Sequence, residues 1–136
     1  MSLQFKFILP WMLRILAALI LLQTLFYKFS AAEESVYIFS TLGMEPWGRI
    51  GTGVGELIAS ILILIPATTG FGAMMGIGLM GGAIFFHLTR LGISVKGDGG
   101  QLFIYALLVF VSCIGLAYLY RRQLLQIFNK NKTTML

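Results

Sequence analysis

The sequence predicts an all-α fold: an integral membrane four-helix bundle with a short interfacial helix between the first and second transmembrane helices. Three observations carry this expectation. Four apolar segments approach the roughly 20 residues that a membrane-crossing helix needs. Of the 136 residues, 58% are hydrophobic and 11% are charged, against about 25% charged in an ordinary soluble domain. The ten Lys and Arg residues are spread unevenly, with Arg121, Arg122, Lys130 and Lys132 gathered at the C-terminal end.

The first helix is expected over 7–29. The apolar run is longer than the apolar region of a secretory signal, about 7–15 residues, and it carries Arg14 and Gln23. It therefore reads as a retained helix. The alternative is a cleaved signal ahead of three helices, with Ser30-Ala31-Ala32 as the small-residue site. The connection 30–46 is the long one. Ser30 is a candidate cap for a short helix, with Glu33 in its first turn. Val36, Tyr37, Phe39 and Leu42 offer it an apolar face, Gly43 a stop, and Pro46 a restart.

The second helix is expected over 48–65, ended by Pro66, the third over 70–91 and the fourth over 101–120. Gly97-Asp98-Gly99-Gly100 reads as a flexible turn. The chain 1–136 thus forms a single transmembrane domain, closed by a basic cytoplasmic tail over 121–136. Four crossings put both termini on one side, with Lys6 and the C-terminal cations. Glu33, Glu34, Glu45 and Asp98 fall on the other. The cytoplasmic bias of Lys and Arg then places both termini in the cytoplasm.

Glycines recur four apart: Gly51 and Gly55, Gly72 and Gly76, Gly78 and Gly82. Such rows let helix backbones approach closely in lipid. Gly51-Thr52-Gly53-Val54-Gly55 has the look of a nucleotide loop, but that loop needs a preceding strand in a βαβ unit. Helix packing is the reading adopted. Cys113 is the lone cysteine and sits in an apolar run, which suits a packed, inert thiol.

Helix rise, about 1.5 Å per residue, converts position into depth. Arg49 falls near the outer end of the second helix and Glu56 about two turns deeper, on the same face. His87 and Arg90 share a face near the outer end of the third helix. Lys28 ends the first, with Gln23 below it. Three helices thus place Gln23, Lys28, Arg49, Glu56, His87 and Arg90 at one level, and the fourth adds Tyr105 and Gln101. Ionisable groups at such depth are costly and commonly mark function. These six residues are the candidate ligand-binding set, in a pocket open to the outer side that takes a polar head group. The plainer reading is structural: cations snorkelling at helix ends and Glu56 paired with one of them. Arg14 stands apart in the inner half of the first helix, with no acidic partner in sequence, placed to snorkel towards anionic lipid heads.

The same residues carry a resemblance. Tyr27-Lys28-Phe29, Leu42-Gly43-Met44-x-Pro46, Gly55-Glu56-Leu57, Leu62-x-Leu64-Ile65-Pro66, and Ala83 with His87 together resemble the DoxX family and its DoxX-like relatives. The resemblance covers the chain up to its basic tail. It implies a four-helix protein of the bacterial inner membrane, in a family named for a subunit linked to quinone-dependent thiosulfate oxidation.

Three functions stay open at this point. One is an accessory subunit of a quinone-linked oxidoreductase, non-catalytic itself, with quinone as the candidate cofactor. A second is a membrane chaperone or assembly factor that meets a membrane or periplasmic protein partner through helix–helix contacts. The third is a small-solute transporter built as a homo-oligomer. The lipid bilayer is a partner in all three. Nucleic-acid binding is not expected, and neither is a metal, since one His and one Cys cannot make an ordinary zinc site.

Overall fold

The structure is a computed structural model. It describes residues 3–135, with side chains for all of these except 3, 5, 128 and 130–135. The described residues form helices joined by turns, with no strand: α1 (Leu3–Phe29), α2 (Glu33–Thr41), α3 (Trp47–Leu64), α4 (Thr69–Phe86), α5 (Gln101–Leu119) and α6 (Arg121–Met135). Four helical stretches, centred on α1, α3, α4 and α5, are long and apolar enough to cross a membrane. They form a ring in which α1 packs on α3, α3 on α4, α4 on α5 and α5 back on α1. Leu19, Phe85 and Val111 stand exposed on its flanks. Apolar flanks on this scale suit a hydrocarbon surrounding rather than water.

The core is built from small and branched side chains, among them Ala17, Leu21, Ala59, Ile63, Ala73 and Val109. Two glycines of α4 set its tightness. A Cβ at Gly72 would lie 2.6 Å from the Ile63 amide nitrogen, and one at Gly76 would lie 2.5 Å from Cys113 Sγ. Here the expected close approach holds, and Cys113 is fully buried against it. Gly78 and Gly82 behave otherwise: a Cβ at either meets nothing within 4 Å. Among the described residues, that row does not pack helices together.

The short helix α2 lies across one end of the ring, touching α1, α3 and the turn after α4. Ser30 does not cap it. Its hydroxyl turns back to Tyr27 O, and Ala32 precedes the first turn with no side-chain cap. The stop at Gly43 is as expected. Gly43 has φ +74°, Met44 N donates to Phe39 O at 2.8 Å, and Gly43 N donates to Ser40 O at 3.1 Å. These paired bonds are the Schellman closure of a helix. The expected apolar face is rotated: Ser35 and Phe39 are buried, whereas Tyr37 is exposed. Tyr37 instead receives Lys96 Nζ, 5.1 Å from its ring centre.

At the opposite end, Pro66 terminates α3 by holding Ile65 extended, and a 3-10 turn (Pro66–Thr68) leads into α4. The last carbonyls of α3 have no partners within the helix. Side chains supply them: Thr68 Oγ1 donates to Leu62 O at 2.9 Å, and Thr69 Oγ1 to Ile63 O at 3.0 Å. Arg14 Nε donates to Ile63 O at 2.8 Å, and its Nη2 donates to Leu64 O. Its guanidinium also stacks 3.8 Å from the Trp11 ring centre. With 1% of its surface exposed, Arg14 does not snorkel; it closes the C-terminus of α3. A cation suits the negative end of a helix, which explains a buried arginine with no carboxylate.

The basic tail is helical as α6, and its first turn is docked. Gln123 Oε1 accepts from Gly70 N at 2.9 Å, and Gln123 Nε2 donates to Pro66 O at 2.6 Å. Arg121 lies over the Tyr118 ring and Arg122 is exposed. The side chains of Lys130 and Lys132 lie outside the described residues.

Candidate functional site

A cavity of about 680 Å³ occupies the α2 end of the ring, with lining from all four long helices and from α2. Its deepest polar feature joins α1 to α3. Lys28 Nζ lies 2.7 Å from Glu56 Oε1, and Thr24 Oγ1 lies 3.2 Å from Glu56 Oε2. Thr24 and Lys28 are one helical turn apart, so both reach the same carboxylate. Glycine makes the reach possible. A Cβ at Gly53 would stand 2.7 Å from the Phe29 ring. Its absence lets α1 settle against α3, bringing an ammonium on one helix to a carboxylate on the other. Glu56 is 2% exposed. A buried charge is strongly penalised unless paired and hydrogen-bonded, and Lys28 with Thr24 meets that need.

Arg49 holds this arrangement from behind. Its Nε donates to both Glu45 oxygens, at 2.8 and 3.0 Å, and its Nη1 donates to Lys28 O. That carbonyl belongs to the last turn of α1, where a cation is favoured. Arg49 thus ties the end of α1 to the start of α3 and orients Lys28, but it is not part of the cavity lining.

The third wall comes from α4 and the widened turn that follows it. Residues His87–Leu91 form a π-helical turn rather than continuing α4, and Gly92 then leaves it with φ +78°. His87 Nδ1 lies 2.9 Å from Gly92 O, which closes the turn. The carbonyl can only accept, so Nδ1 carries the hydrogen. The ring packs edge-on against Phe103, with centres 5.7 Å apart, and His87 is 5% exposed. It lines the cavity. Its other nitrogen, Nε2, has no protein partner among the described residues. The π turn also separates the two residues expected to share a face. More residues per turn put position i+3 out of line, and Arg90 stands exposed, outside the lining.

The fourth wall is Gln101 and Tyr105 on α5, joined by a 2.9 Å hydrogen bond from Gln101 Nε2 to the Tyr105 hydroxyl. Asp98 sets the start of that helix. Its carboxylate accepts from Val95 N at 2.9 Å, Gly100 N at 2.8 Å and Leu102 N at 3.2 Å. The glycine-rich loop is therefore pinned rather than slack. Burial alone would raise the Asp98 pKa, but the amides of Gly100, Val95 and Leu102, with His87 nearby, outweigh it and hold the carboxyl below its usual value. The same loop sends Lys96 to Glu33 on α2, at 3.0 Å. That contact holds Glu33 below the ordinary carboxylate range.

Of the six candidate residues, the cavity brings together Gln23, Lys28, Glu56 and His87, while Arg49 supports it and Arg90 lies apart. Thr24 was missed, although its position one turn before Lys28 on an apolar helix is a readable signal. Phe39 was expected on the apolar face of α2 but not as cavity lining, and Ser35 was missed, because the fold of a connecting segment over a bundle end leaves no mark of what it covers. Gly78 and Gly82 also line the cavity. Their role here is vacancy, where sequence suggested contact.

The fold and site together define a class: an all-helical protein with four helices apolar enough to cross a membrane, and a polar-walled cavity at one end. Comparisons with family models, with curated proteins and with solved structures gave no match.

Proposed function

We propose that this is a DoxX-like, multi-pass protein of the bacterial inner membrane that binds an amphipathic ligand, a quinone or a lipid head group, in the cavity beneath α2. It acts as an accessory subunit, not as a self-sufficient enzyme. The Lys28–Glu56 pair, with Glu56 buried and Lys28 half-buried, carries this reading, because it opens onto a cavity that His87 also lines. A pair serving stability alone has no need of an adjoining space of about 680 Å³, which lies within the range of ligand pockets. The pair is neutral overall, so the wall offers donors and acceptors without a net charge. That suits a head group with carbonyl or hydroxyl oxygens.

The orientation rests on charge. Six of the ten Lys and Arg residues, Lys6, Arg14, Arg121, Arg122, Lys130 and Lys132, belong to the half that holds the termini, whereas Lys28, Arg49, Arg90 and Lys96 share the α2 half with all five carboxylates. The bias of Lys and Arg towards the cytoplasm puts the termini inside and the cavity in the outer leaflet. A C-terminal green-fluorescent-protein fusion is expected to fluoresce in cells. An alkaline-phosphatase fusion that is active at the same point overturns this orientation.

For the ligand, native mass spectrometry of protein extracted from the membrane is the direct test. The parent is expected to retain a quinone or lipid that Glu56→Gln and His87→Ala release. Extraction of parent protein that neither retains nor rebinds such a molecule sinks the proposal.

A further inference from the structure

The cavity has a second feature that the polar wall does not explain. On α4, Gly78 and Gly82 lie one turn apart, both line the cavity, and a Cβ at either meets nothing within 4 Å. Gly78 is exposed on the flank of the bundle, and Thr52 lines the cavity from the neighbouring helix α3. The side of the cavity between α3 and α4 therefore lacks the side chains that would shut it. The end facing α2 is covered instead. Phe39 is buried there, and α2 is held by the Lys96–Glu33 contact of 3.0 Å. A row of glycines alone does not make a site. The independent sign is His87, which is 5% exposed, with no partner for Nε2 among the described residues and the residue on the cavity wall.

Resting on the ligand reading above, we infer that the ligand enters through the flank between α3 and α4 and leaves a hydrocarbon chain there. Its compact, uncharged polar head reaches His87 Nε2 and the Lys28–Glu56 pair, while its chain lies over Gly78 and Gly82. The glycines are then a chain-binding strip, and the ligand class narrows to single-chain amphiphiles delivered from the hydrocarbon phase. A free head group without a chain lacks the part that fits the strip. A diacyl phospholipid brings a bulky phosphate head group and a second chain, where the strip offers room for one. Prenyl or alkyl quinones and monoacylglycerols both satisfy the chemistry.

The test uses the full chain in lipid nanodiscs with four probes: an alkyl quinone, its ring without the chain, a monoacylglycerol, and glycerol. Binding is read by native mass spectrometry and by the shift in melting temperature. Gly78→Leu and Gly82→Leu fill the strip, while Gly51→Leu is the control, because its Cβ also meets nothing within 4 Å and Gly51 does not line the cavity. The expected result is a loss of about tenfold or more in affinity for one chain-bearing probe in both strip variants, as overfilling a fitted site produces. Gly51→Leu is expected to bind as the parent does. Which chained probe binds the parent identifies the source, quinone or neutral lipid. Strip variants that bind the chained probe as tightly as the parent overturn this inference and leave the ligand reading intact. A parent that binds neither chained probe overturns both.

Discussion

Lys28 Nζ and Glu56 Oε1 lie 2.7 Å apart, joining the last turn of α1 to the middle of α3. They are 28 residues apart in sequence. The pair exists because Gly53 admits Phe29 and because Arg49 anchors the Lys28 carbonyl. It is both a polar tie between these helices and the floor of the proposed site, and its two roles separate by mutation.

Lys28→Met leaves the Glu56 carboxylate buried without its cation. Breaking one side of such a pair costs about 3–5 kcal/mol. The double variant Lys28→Met with Glu56→Leu removes both charges and is expected to recover most of that loss. Unfolding in mixed micelles, followed by circular dichroism, measures the cycle. A double variant as unstable as the single one contradicts the pairing. Ligand retention is expected to fail in both.

Arg14→Leu removes two donors from the C-terminus of α3. Hydrogen bonds from a charged donor contribute about 1.5–3 kcal/mol each, partly offset here because leucine no longer buries a cation. The expected net loss is about 2 kcal/mol, with ligand binding unchanged because Arg14 lies at the far end of the bundle. A shift in ligand affinity without a shift in unfolding contradicts the assignment of Arg14 as a helix closure.

Two glycines of similar sequence context are expected to respond oppositely. Gly72→Ala puts a methyl 2.6 Å from the backbone nitrogen of Ile63, which cannot move away cheaply, so a loss of about 1–3 kcal/mol follows. Gly51→Ala meets nothing and gains helix propensity, about 0.5–1 kcal/mol. Parallel melting curves of the two variants decide the point.

The Asp98 loop should respond to acid. Its carboxyl is held below the ordinary value of 3.8. A depressed carboxylate contributes stability above its unfolded pKa and loses it as pH falls through the lower, folded pKa. Hydrogen-exchange protection of the Gly100 and Leu102 amides is therefore expected to be complete at neutral pH. Once intrinsic exchange is allowed for, it should fall away only below the ordinary Asp range. Asp98→Ala should abolish the protection at every pH. Protection that is indifferent to Asp98→Ala shows that the backbone alone holds the loop.

Much of the bundle was legible in the sequence because hydrophobic length is a local property. Each crossing-length segment is set by its own side chains, so the four long helices, the Pro66 stop and the Gly43 stop follow from residues near at hand. Depth along a helix is equally local, and for that reason Gln23, Lys28, Glu56 and His87 could be placed at one level. Facing is not local. Arg90 left the cavity because His87–Leu91 winds as a π turn closed by Gly92. Arg49 turned to Glu45 and to a carbonyl of another helix. Arg14 found its partners about 50 residues away, as backbone carbonyls that no side-chain motif advertises. A glycine reads the same in sequence whether its missing Cβ admits a neighbour, as at Gly72, or leaves a wall open, as at Gly78. The sequence by itself determined the four long helices and the level of their polar groups along them. Only the tertiary structure decided which of those groups share a cavity, since that depends on which helix stands opposite and how closely it comes.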